Sequence, residues 1–251
     1  MNNYLFKIAR NKFFNISIRS IFSKIYYTYR KIRLINYRSK NNFDFDWDSQ
    51  NFNRTALLNF IISCNSKKYN TNYLEIGCQN NLNFNAICLK DKIGVDPDIG
   101  GNLRMTSDQF FKQNNSKFDL IFLDGLHTYE QTKKDLLNSL EVINDNGVIV
   151  LDDFIPRNWK EHLTPRVQTN WNGDIWKIAF ELVESSGIDF RIIKIDGGQC
   201  VIFKNKKQYF IPDLYMQNKD LDFDYLFENF KKLPVIELDS GLKWISEKLN
   251  L

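Results

Sequence analysis

Strand-like apolar segments alternate with helix-like segments through the middle of the chain, and this alternation constrains the fold more than any other feature. It predicts strands at 73–76, 92–95, 103–105, 118–124 and 147–153, and helices at 54–65, 82–89, from 107 onward and at 129–143. Thr128 and Gln131 match a capping box at the start of the last helix. Elements in this order form βαβ units, so we expect a mostly parallel sheet covered on both faces.

The pattern changes after this alternation. Residues 190–195 and 200–203 are predicted strands around the turn DGGQ, whose glycines tolerate a positive φ, so we expect an antiparallel hairpin. Residues 221–233 and 241–251 have the spacing of amphipathic helices. The sequence therefore predicts an α/β domain over 51–206, an arm and linker over 1–50 and a helical extension over 207–251.

Residues 1–40 hold ten of the 34 Lys and Arg residues and no acid, whereas the rest of the chain has 24 basic and 30 acidic residues. Apolar side chains recur in this segment at helical spacing, which predicts a basic amphipathic helix. Such a helix either binds an anionic membrane surface, packs on the body, or contacts a second subunit of a homo-oligomer. An acid-free start also occurs in mitochondrial presequences. Nucleic-acid binding is disfavoured, because no RNA- or DNA-binding motif accompanies the basic segment.

The four cysteines show no CxxC pair or zinc spacing, which favours a reduced, intracellular protein. No apolar run approaches the roughly 18 residues that a membrane span requires, and basic residues interrupt any secretory h-region. The sequence predicts a cytoplasmic protein, either free or held at the inner face of a membrane through residues 1–40.

Polar side chains, most of them carboxylates, stand at or just beyond the ends of the five strands of the alternating region. Ligands bind beyond the carboxyl ends of the strands in an open α/β sheet, so we expect these side chains to share one rim. They are Glu75 with Gly77, Asp96, Ser107 with Asp108, Asp124, and Asp152 with Asp153. Each alone could cap a helix, but their recurrence at successive strands favours a binding site.

Several of these segments resemble class I S-adenosylmethionine-dependent methyltransferases, and most closely the bacterial O-methyltransferases of surface-sugar and glycan biosynthesis. The most specific are "FDLIFLDGLHTYEQ" and "GVIVLDD", with "YLEIG", "KIGVDP" and "WNGDIWK" in support. The resemblance covers about residues 53–204. It implies a Rossmann-like sheet of seven strands, mostly parallel, with the last strand antiparallel.

The resemblance also assigns cofactor roles along the rim. Glu75 and Gly77 would lie beside the methionine end of S-adenosylmethionine, Asp96 would bind the ribose hydroxyls, and Ser107 and Asp108 would lie near the adenine. Asp124 belongs to both the cofactor-binding and the catalytic set. Gln79 and Asn80 stand where the family has further glycines. A cofactor without a pyrophosphate tolerates this change, whereas the absence of G-x-G-x-x-G disfavours NAD.

Asp124, Asp152 and Asp153 are predicted to form an oxygen-only metal site at neighbouring strand ends. Such a site suits Mg²⁺ or Mn²⁺, between which the ligand types do not discriminate. The ion would clamp the acceptor and lower the pKa of its hydroxyl. The alternative is that no metal binds and Asp153 caps a turn. His127, three residues after Asp124, is the predicted general base, or else a metal or acceptor contact.

The loop 154–173 follows the metal strand and is predicted to hold the acceptor. Its candidate substrate residues are Arg157, Trp159, His162, Arg166 and Trp171. They have the chemistry to grip a sugar ring and a phosphate, although such a loop could simply cover the core. The leading hypothesis is an O-methyltransferase that acts on a nucleotide-sugar or glycan intermediate. The alternatives are methylation of RNA, a lipid-linked acceptor or a small phenolic, and a catalytically inactive binding module.

Overall fold

A computed structural model describes residues 16–47, 49–65, 70–205 and 208–249. The first part of the predicted basic arm, residues 1–15, lies outside the described residues, as does the end of the last predicted helix.

Seven strands form one sheet: β1 Tyr73–Ile76, β2 Lys92–Val95, β3 Phe118–Leu123, β4 Ile143–Leu151, β5 Ile188–Ile193, β6 Gln199–Lys204 and β7 Val235–Ile236. Their order is β2-β1-β3-β4-β6-β5-β7. Every pairing is parallel except those of β6, which runs antiparallel to both β4 and β5. The predicted Rossmann-like sheet and its antiparallel hairpin are confirmed.

One strand of the sheet differs from the prediction. Residues 103–105 form only a single bridge, between Leu103 and Val95, because the chain turns at once into the capping box that Thr106 makes with Gln109. The seventh strand is instead β7, which comes from the C-terminal segment and pairs in parallel with β5. Its register with β5 was not visible in the sequence, since two residues carry no periodicity.

The helices are α1 Ile16–Arg33, α2 Arg54–Cys64, α3 Leu82–Ala86, α4 Ser107–Gln113, α5 Tyr129–Val142, α6 Trp159–His162, α7 Lys177–Val183, α8 Tyr215–Asn218, α9 Phe223–Asn229 and α10 Leu238–Lys248. Two 3-10 turns, Ile35–Tyr37 and Phe230–Lys232, follow α1 and α9. Leu57, Leu58 and Ile61 of α2 pack in the core on one face of the sheet. Leu136 and Leu140 of α5 pack in the core on the other face.

The predicted capping box at Thr128 is wrong. Thr128 makes no side-chain cap, and the backbone N–H of Tyr129 donates instead to Asp174 Oδ1 at 2.9 Å. Gln131 is thereby free to point at α4, where its amide donates to Ser107 Oγ at 3.3 Å and Asp108 Oδ1 at 3.2 Å. This side chain belongs to a cavity rather than to a helix cap.

The described part of the basic arm is helical, as predicted. Its Tyr26 is buried, and Arg30 Nη1 donates to the carbonyl oxygen of Arg166 at 3.3 Å. Ile21, Ile25 and Ile32 are exposed. Use of this helix against a membrane or a second subunit stays a prediction.

None of the described helices is both long and apolar enough to span a membrane. The four cysteines are free thiols, and three of them are buried.

Candidate active site

Three cavities lie in a row along the carboxyl ends of the parallel strands. The large cavity, of about 510 Å³, extends from Gly77 to Asp96 and α4. The middle cavity, of about 380 Å³, shares Gly77 and Gln79 with it. The outer cavity, of about 280 Å³, shares Arg54 and Asp196 with the middle one. Because they share these lining residues, the three cavities adjoin one another, and we call this row the groove.

Gly77 is required by the close approach of the chain after β1 to the chain after β3. Its φ is +92°, and a Cβ at this position would lie 2.0 Å from the carbonyl oxygen of Asp124. No other residue fits, because this contact is far shorter than any van der Waals distance and the backbone is in the region that favours glycine. Glycine therefore allows the chain after β1 to lie directly against the chain after β3, at the place where the large and middle cavities adjoin.

The turn after Gly77 keeps a glycine-type backbone without the glycines. Gln79 and Asn81 have φ of +45° and +65°. Asn81 Oδ1 accepts the N–H of Gly101 at 2.7 Å, and the N–H of Gln79 donates to Asp96 Oδ2 at 2.8 Å. Left-handed backbone costs a non-glycine residue about 1–2 kcal/mol, and these hydrogen bonds offset that strain. Such strain collects at functional sites.

Asp96 presents an ionised carboxylate to the large cavity. Burial raises the pKa of Asp96, but the N–H groups of Asp98, Ile99 and Gln79 together outweigh burial and hold that pKa below its ordinary value. The Asp98 and Ile99 donors lie 2.7 and 3.0 Å from Oδ1. The carboxylate is therefore fixed in both charge and direction.

The opposite wall of the large cavity is built from α4 and α5. Ser107, Asp108, Gln131 and Asp135 line it. Asp108 also pairs with Lys134 at 2.7 Å, whereas Asp135 is buried, and its burial raises its pKa to about 6. This wall therefore offers hydrogen-bond donors and acceptors side by side, which suits the edge of a heteroaromatic ring.

Glu75 lines the middle cavity and is 1% exposed. Tyr73 Oη and Asn83 Nδ2 donate to its Oε2 at 2.6 and 2.9 Å. Burial nevertheless dominates and raises the pKa of Glu75 to about 7. A cation in the middle cavity would therefore find a carboxylate that is ready to lose its proton.

An acid–histidine cluster, Asp124, His127 and Asp153, lies beside the middle cavity. His127 Nε2 is 3.0 Å from Asp124 Oδ1, and Nδ1 is 3.2 Å from Asp153 Oδ2. Burial lowers the pKa of His127, but the hydrogen bonds and charges of the two aspartates raise it to about 10. Trp171 stacks on the imidazole at a centroid distance of 5.4 Å. The ring is thus fixed between two carboxylates and one indole.

Arg54 joins three acidic side chains at the same place. Its guanidinium pairs with Asp124 at 3.1 Å, with Asp196 at 2.9 Å and with Asp152. Sequence reasoning missed both Arg54 and Asp196. The one available signal was an arginine at the first position of α2, where the helix dipole disfavours a cation.

Asp152 differs from its predicted placement. Its side chain is fully buried, and besides Arg54 it accepts hydrogen bonds from Gln199 Nε2 and from the N–H of Asp153, the latter at 2.9 Å. The ligand atoms that lie within 4.8 Å of one another are those of Asp124, His127 and Asp153. Asp153 has a positive φ of +60°, and its carboxylate faces the imidazole of His127. His127 thus stands where the prediction had Asp152.

The chemistry of this donor set fits a hard divalent cation. Four carboxylates, those of Asp124, Asp152, Asp153 and Asp196, share one guanidinium and one imidazole among the described residues. Oxygen ligands in excess of positive charge are what Mg²⁺ and Mn²⁺ bind.

The loop after β4 supplies part of the outer cavity. Arg157 and Trp171 line it together with Trp47, Asn170 and Asn172, and contact of Arg157 and Trp171 with an acceptor stays a prediction. Arg166 lies behind Trp171, 5.7 Å from its ring centroid, and donates to the backbone of the loop itself. Asn172, which sequence reasoning missed, donates to Asp153 Oδ1 at 3.0 Å.

The prediction that Trp159 and His162 contact substrate is wrong. Trp159 is buried in the hydrophobic core. His162 is buried as well, and its Nδ1 accepts from Trp176 Nε1 at 3.0 Å. Burial, with Lys177 nearby, lowers the pKa of His162 to about 4. The short helix α6 turns both side chains inward, which composition alone could not reveal.

Part of the chain is similar to known methyltransferases. Residues 74–154 match the sequence model of a family described as a methyltransferase domain. This match covers about a third of the chain and confirms the predicted enzyme class over those residues. A comparison with curated proteins found no match.

Several solved structures are similar to this chain. The Podospora anserina methyltransferase PaMTH1, bound to S-adenosylhomocysteine (SAH), is 19% identical over 61% of this chain and 78% of its own, with a TM-score of 0.47. An O-methyltransferase from Bacillus cereus in complex with SAH is 15% identical over 81% of this chain and 100% of its own, with a TM-score of 0.41. The mycinamycin-pathway methyltransferase MycE, in complex with Mg and SAH, is 14% identical over 59% of this chain and 48% of its own, with a TM-score of 0.37. At these scores the similarity carries no argument about substrate, cofactor or metal.

Proposed function

We propose that the protein transfers the methyl group of S-adenosylmethionine to a sugar hydroxyl of a nucleotide-sugar or surface-glycan intermediate, assisted by Mg²⁺ or Mn²⁺. The observation that carries this proposal is the row of three adjoining cavities past the acid–histidine cluster. An elongated cofactor would occupy the large and middle cavities, and the acceptor would occupy the outer one. The methyl donor and the acceptor would then approach each other where the middle and outer cavities adjoin, beside Arg54 and Asp196.

The polarity of the groove supports this orientation of the cofactor. The ionised carboxylate of Asp96 suits a pair of ribose hydroxyls, and Ser107 with Gln131 suits the edge of an adenine. Glu75 suits the methionine ammonium, because its carboxylate ionises near neutral pH and faces the middle cavity. Asp108, already paired with Lys134, would lie at the mouth near the base.

The acid–histidine cluster would handle the acceptor proton. Asp124 and Asp153 would hold the metal ion with Asp152 beside them, and such an ion lowers the pKa of a nearby hydroxyl. His127 would take the hydroxyl proton at Nε2, once Asp124 turns from the ring to the metal ion, while the oxygen forms a bond to the methyl carbon and the S–CH₃ bond breaks, leaving SAH. The imidazole must be neutral for this role. Asp124 and Asp153 raise the pKa of His127, so their charge must be shared with a cation before the ring can act.

The outer cavity supports a sugar as the acceptor. Arg157, Asn170 and Asn172 offer hydrogen-bonding groups there, and Trp47 and Trp171 line the cavity beside them. A lining this rich in polar groups suits an acceptor with many hydroxyls, which placed hydrogen-bonding groups would orient. The groove would also hold the hydroxyl close to the methyl carbon, and such positioning supplies much of the rate of a displacement reaction.

The test is transfer of a deuterated methyl group from labelled S-adenosylmethionine to a panel of nucleotide-sugars, followed by mass spectrometry. We expect a mass gain of one labelled methyl group that requires Mg²⁺ or Mn²⁺ and is lost on addition of EDTA. The Asp153→Asn variant should lose this transfer, and the exposed-surface variant Asp145→Asn should keep it. Binding of SAH without transfer to any sugar would contradict the sugar acceptor while leaving the cofactor assignment intact.

A further inference from the structure

Helix α1 presents an unusual face to the rest of the protein. Lys24, Tyr27, Thr28 and Lys31, spaced as one helical face, line a cavity of about 360 Å³. On another face Ile21, Ile25 and Ile32 are 56, 50 and 64% exposed. An amphipathic helix ordinarily turns its apolar stripe toward the body and its lysines toward water. Lys24 and Lys31 are exposed, and both border the depression between this helix and the loop 154–173, where one ligand could contact the two ammonium groups together.

The two walls of this cleft are fixed to each other. Arg30 of α1 donates to the carbonyl oxygen of Arg166, and the buried Tyr26 packs one turn earlier. Arg166 in turn donates to the carbonyl oxygen of Gln168 at 2.7 Å and to that of Thr169. The opposite wall consists of Val167, Gln168 and Thr169. We call the space between these walls the lysine cleft.

Among the residues that the structure describes, no ion pair balances the charge of the lysine cleft. None of its lining residues is acidic, and neither Lys24 nor Lys31 forms an ion pair with a described residue. The sequence carries no acid before Asp44. Lysine ammonium groups are compact point charges that bind phosphate well, and hydroxyls such as that of Thr28 donate to phosphate oxygens. The chemistry of the cleft is therefore that of a phosphate-binding site.

The lysine cleft adjoins the acceptor site. Thr169 lines both the cleft and the outer cavity. We propose that the lysine cleft binds the diphosphate of the acceptor through Lys24 and Lys31, while the attached sugar occupies the outer cavity. This inference rests on the proposed function, and it restricts the acceptor to sugars that carry a diphosphate. The diphosphate has the same chemistry in a nucleotide-sugar and in a lipid-linked sugar.

Two binding experiments on the full chain distinguish these sources. In the first, uridine diphosphate (UDP) is titrated calorimetrically into the protein. In the second, the protein is sedimented with phosphatidylcholine vesicles that carry undecaprenyl diphosphate, with phosphatidylglycerol vesicles of equal charge as reference. Each is repeated with Lys24→Gln/Lys31→Gln and with the control Lys90→Gln/Lys112→Gln, which removes the same charge from exposed positions elsewhere.

We expect Lys24→Gln/Lys31→Gln to weaken binding about 30-fold, which corresponds to the loss of about 1 kcal/mol for each exposed charge-assisted contact. The control pair should leave the affinity unchanged. UDP binding identifies a nucleotide-sugar, and preference for the diphosphate vesicles identifies a lipid-linked sugar. The inference is overturned if neither probe binds, or if both double variants bind equally well. SAH is titrated into the same preparations. If SAH binds and neither diphosphate probe binds, only the lysine cleft is refuted. If SAH does not bind, the proposed function is refuted.

Discussion

Replacement of Glu75 by glutamine tests the electrostatics of the middle cavity. The pKa of Glu75 is raised from its ordinary 4.5 to about 7 because the carboxyl is buried. The folded protein therefore binds this proton more tightly than the unfolded chain does, and stability falls as the pH rises from about 4.5 to 7. At about 1.4 kcal/mol per pKa unit, the ionised side chain costs about 3 kcal/mol above pH 7.

Glu75→Gln should remove most of that cost. Tyr73 and Asn83 both donate to Oε2, so a glutamine carbonyl can accept both hydrogen bonds, though each weakens when the acceptor is neutral. We expect a gain of about 2 kcal/mol at pH 8 and almost none at pH 5. For a protein of this size that gain raises the Tm by about 4–8 °C.

The assay is thermal unfolding of the ligand-free wild type and of Glu75→Gln at pH 5 and pH 8, with Glu130→Gln as an exposed control. Saturating SAH should reverse the order at pH 8, because the wild type gains the ammonium–carboxylate contact that the variant lacks. A Tm difference that is equal at both pH values would refute the reasoning, as would a variant that is less stable than wild type at pH 8.

Three further predictions concern neighbouring residues. Gly77→Ala should destabilise the fold by more than about 3 kcal/mol in urea unfolding, since its Cβ would lie 2.0 Å from the Asp124 carbonyl oxygen; a loss below 1 kcal/mol would contradict this. Gln79→Gly should stabilise by about 1 kcal/mol in the same assay, because it relieves a positive φ, and a loss would be unexpected. Arg54→Met should raise the affinity for Mn²⁺, measured by electron paramagnetic resonance, about tenfold, because the guanidinium no longer competes with the ion for the carboxylates; a tenfold change corresponds to about 1.4 kcal/mol. Unchanged affinity would show that Arg54 does not compete.

Local sequence patterns predicted the sheet and its rim. Apolar runs such as FDLIFL, buried along its whole length in β3, identify central strands without further information. Parallel strands then bring Asp96 and Asp124 to one edge by geometry alone. The short β7 was missed because two residues carry no periodic signal, and its partner β5 is far away in the sequence.

The rest of the site depends on contacts that short-range patterns do not encode. Arg54 reads as an ordinary helix start, yet it meets carboxylates from three separate segments. Trp159 has the composition of a sugar-binding residue, but one short helix turns it into the core. The orientation of Lys24 and Lys31 toward the loop is likewise set by the packing of α1 on that loop and not by the amphipathic pattern of the helix.

Calorimetric titration of SAH tests the central claim most directly, because it does not depend on knowing the acceptor. We predict saturable binding of one SAH per chain. Asp96→Asn should weaken it about 10- to 100-fold, the cost of a charge-assisted hydrogen bond, and Asp145→Asn should leave it unchanged. Absence of saturable binding to the folded wild-type protein, with Mg²⁺ and with EDTA, would contradict the account.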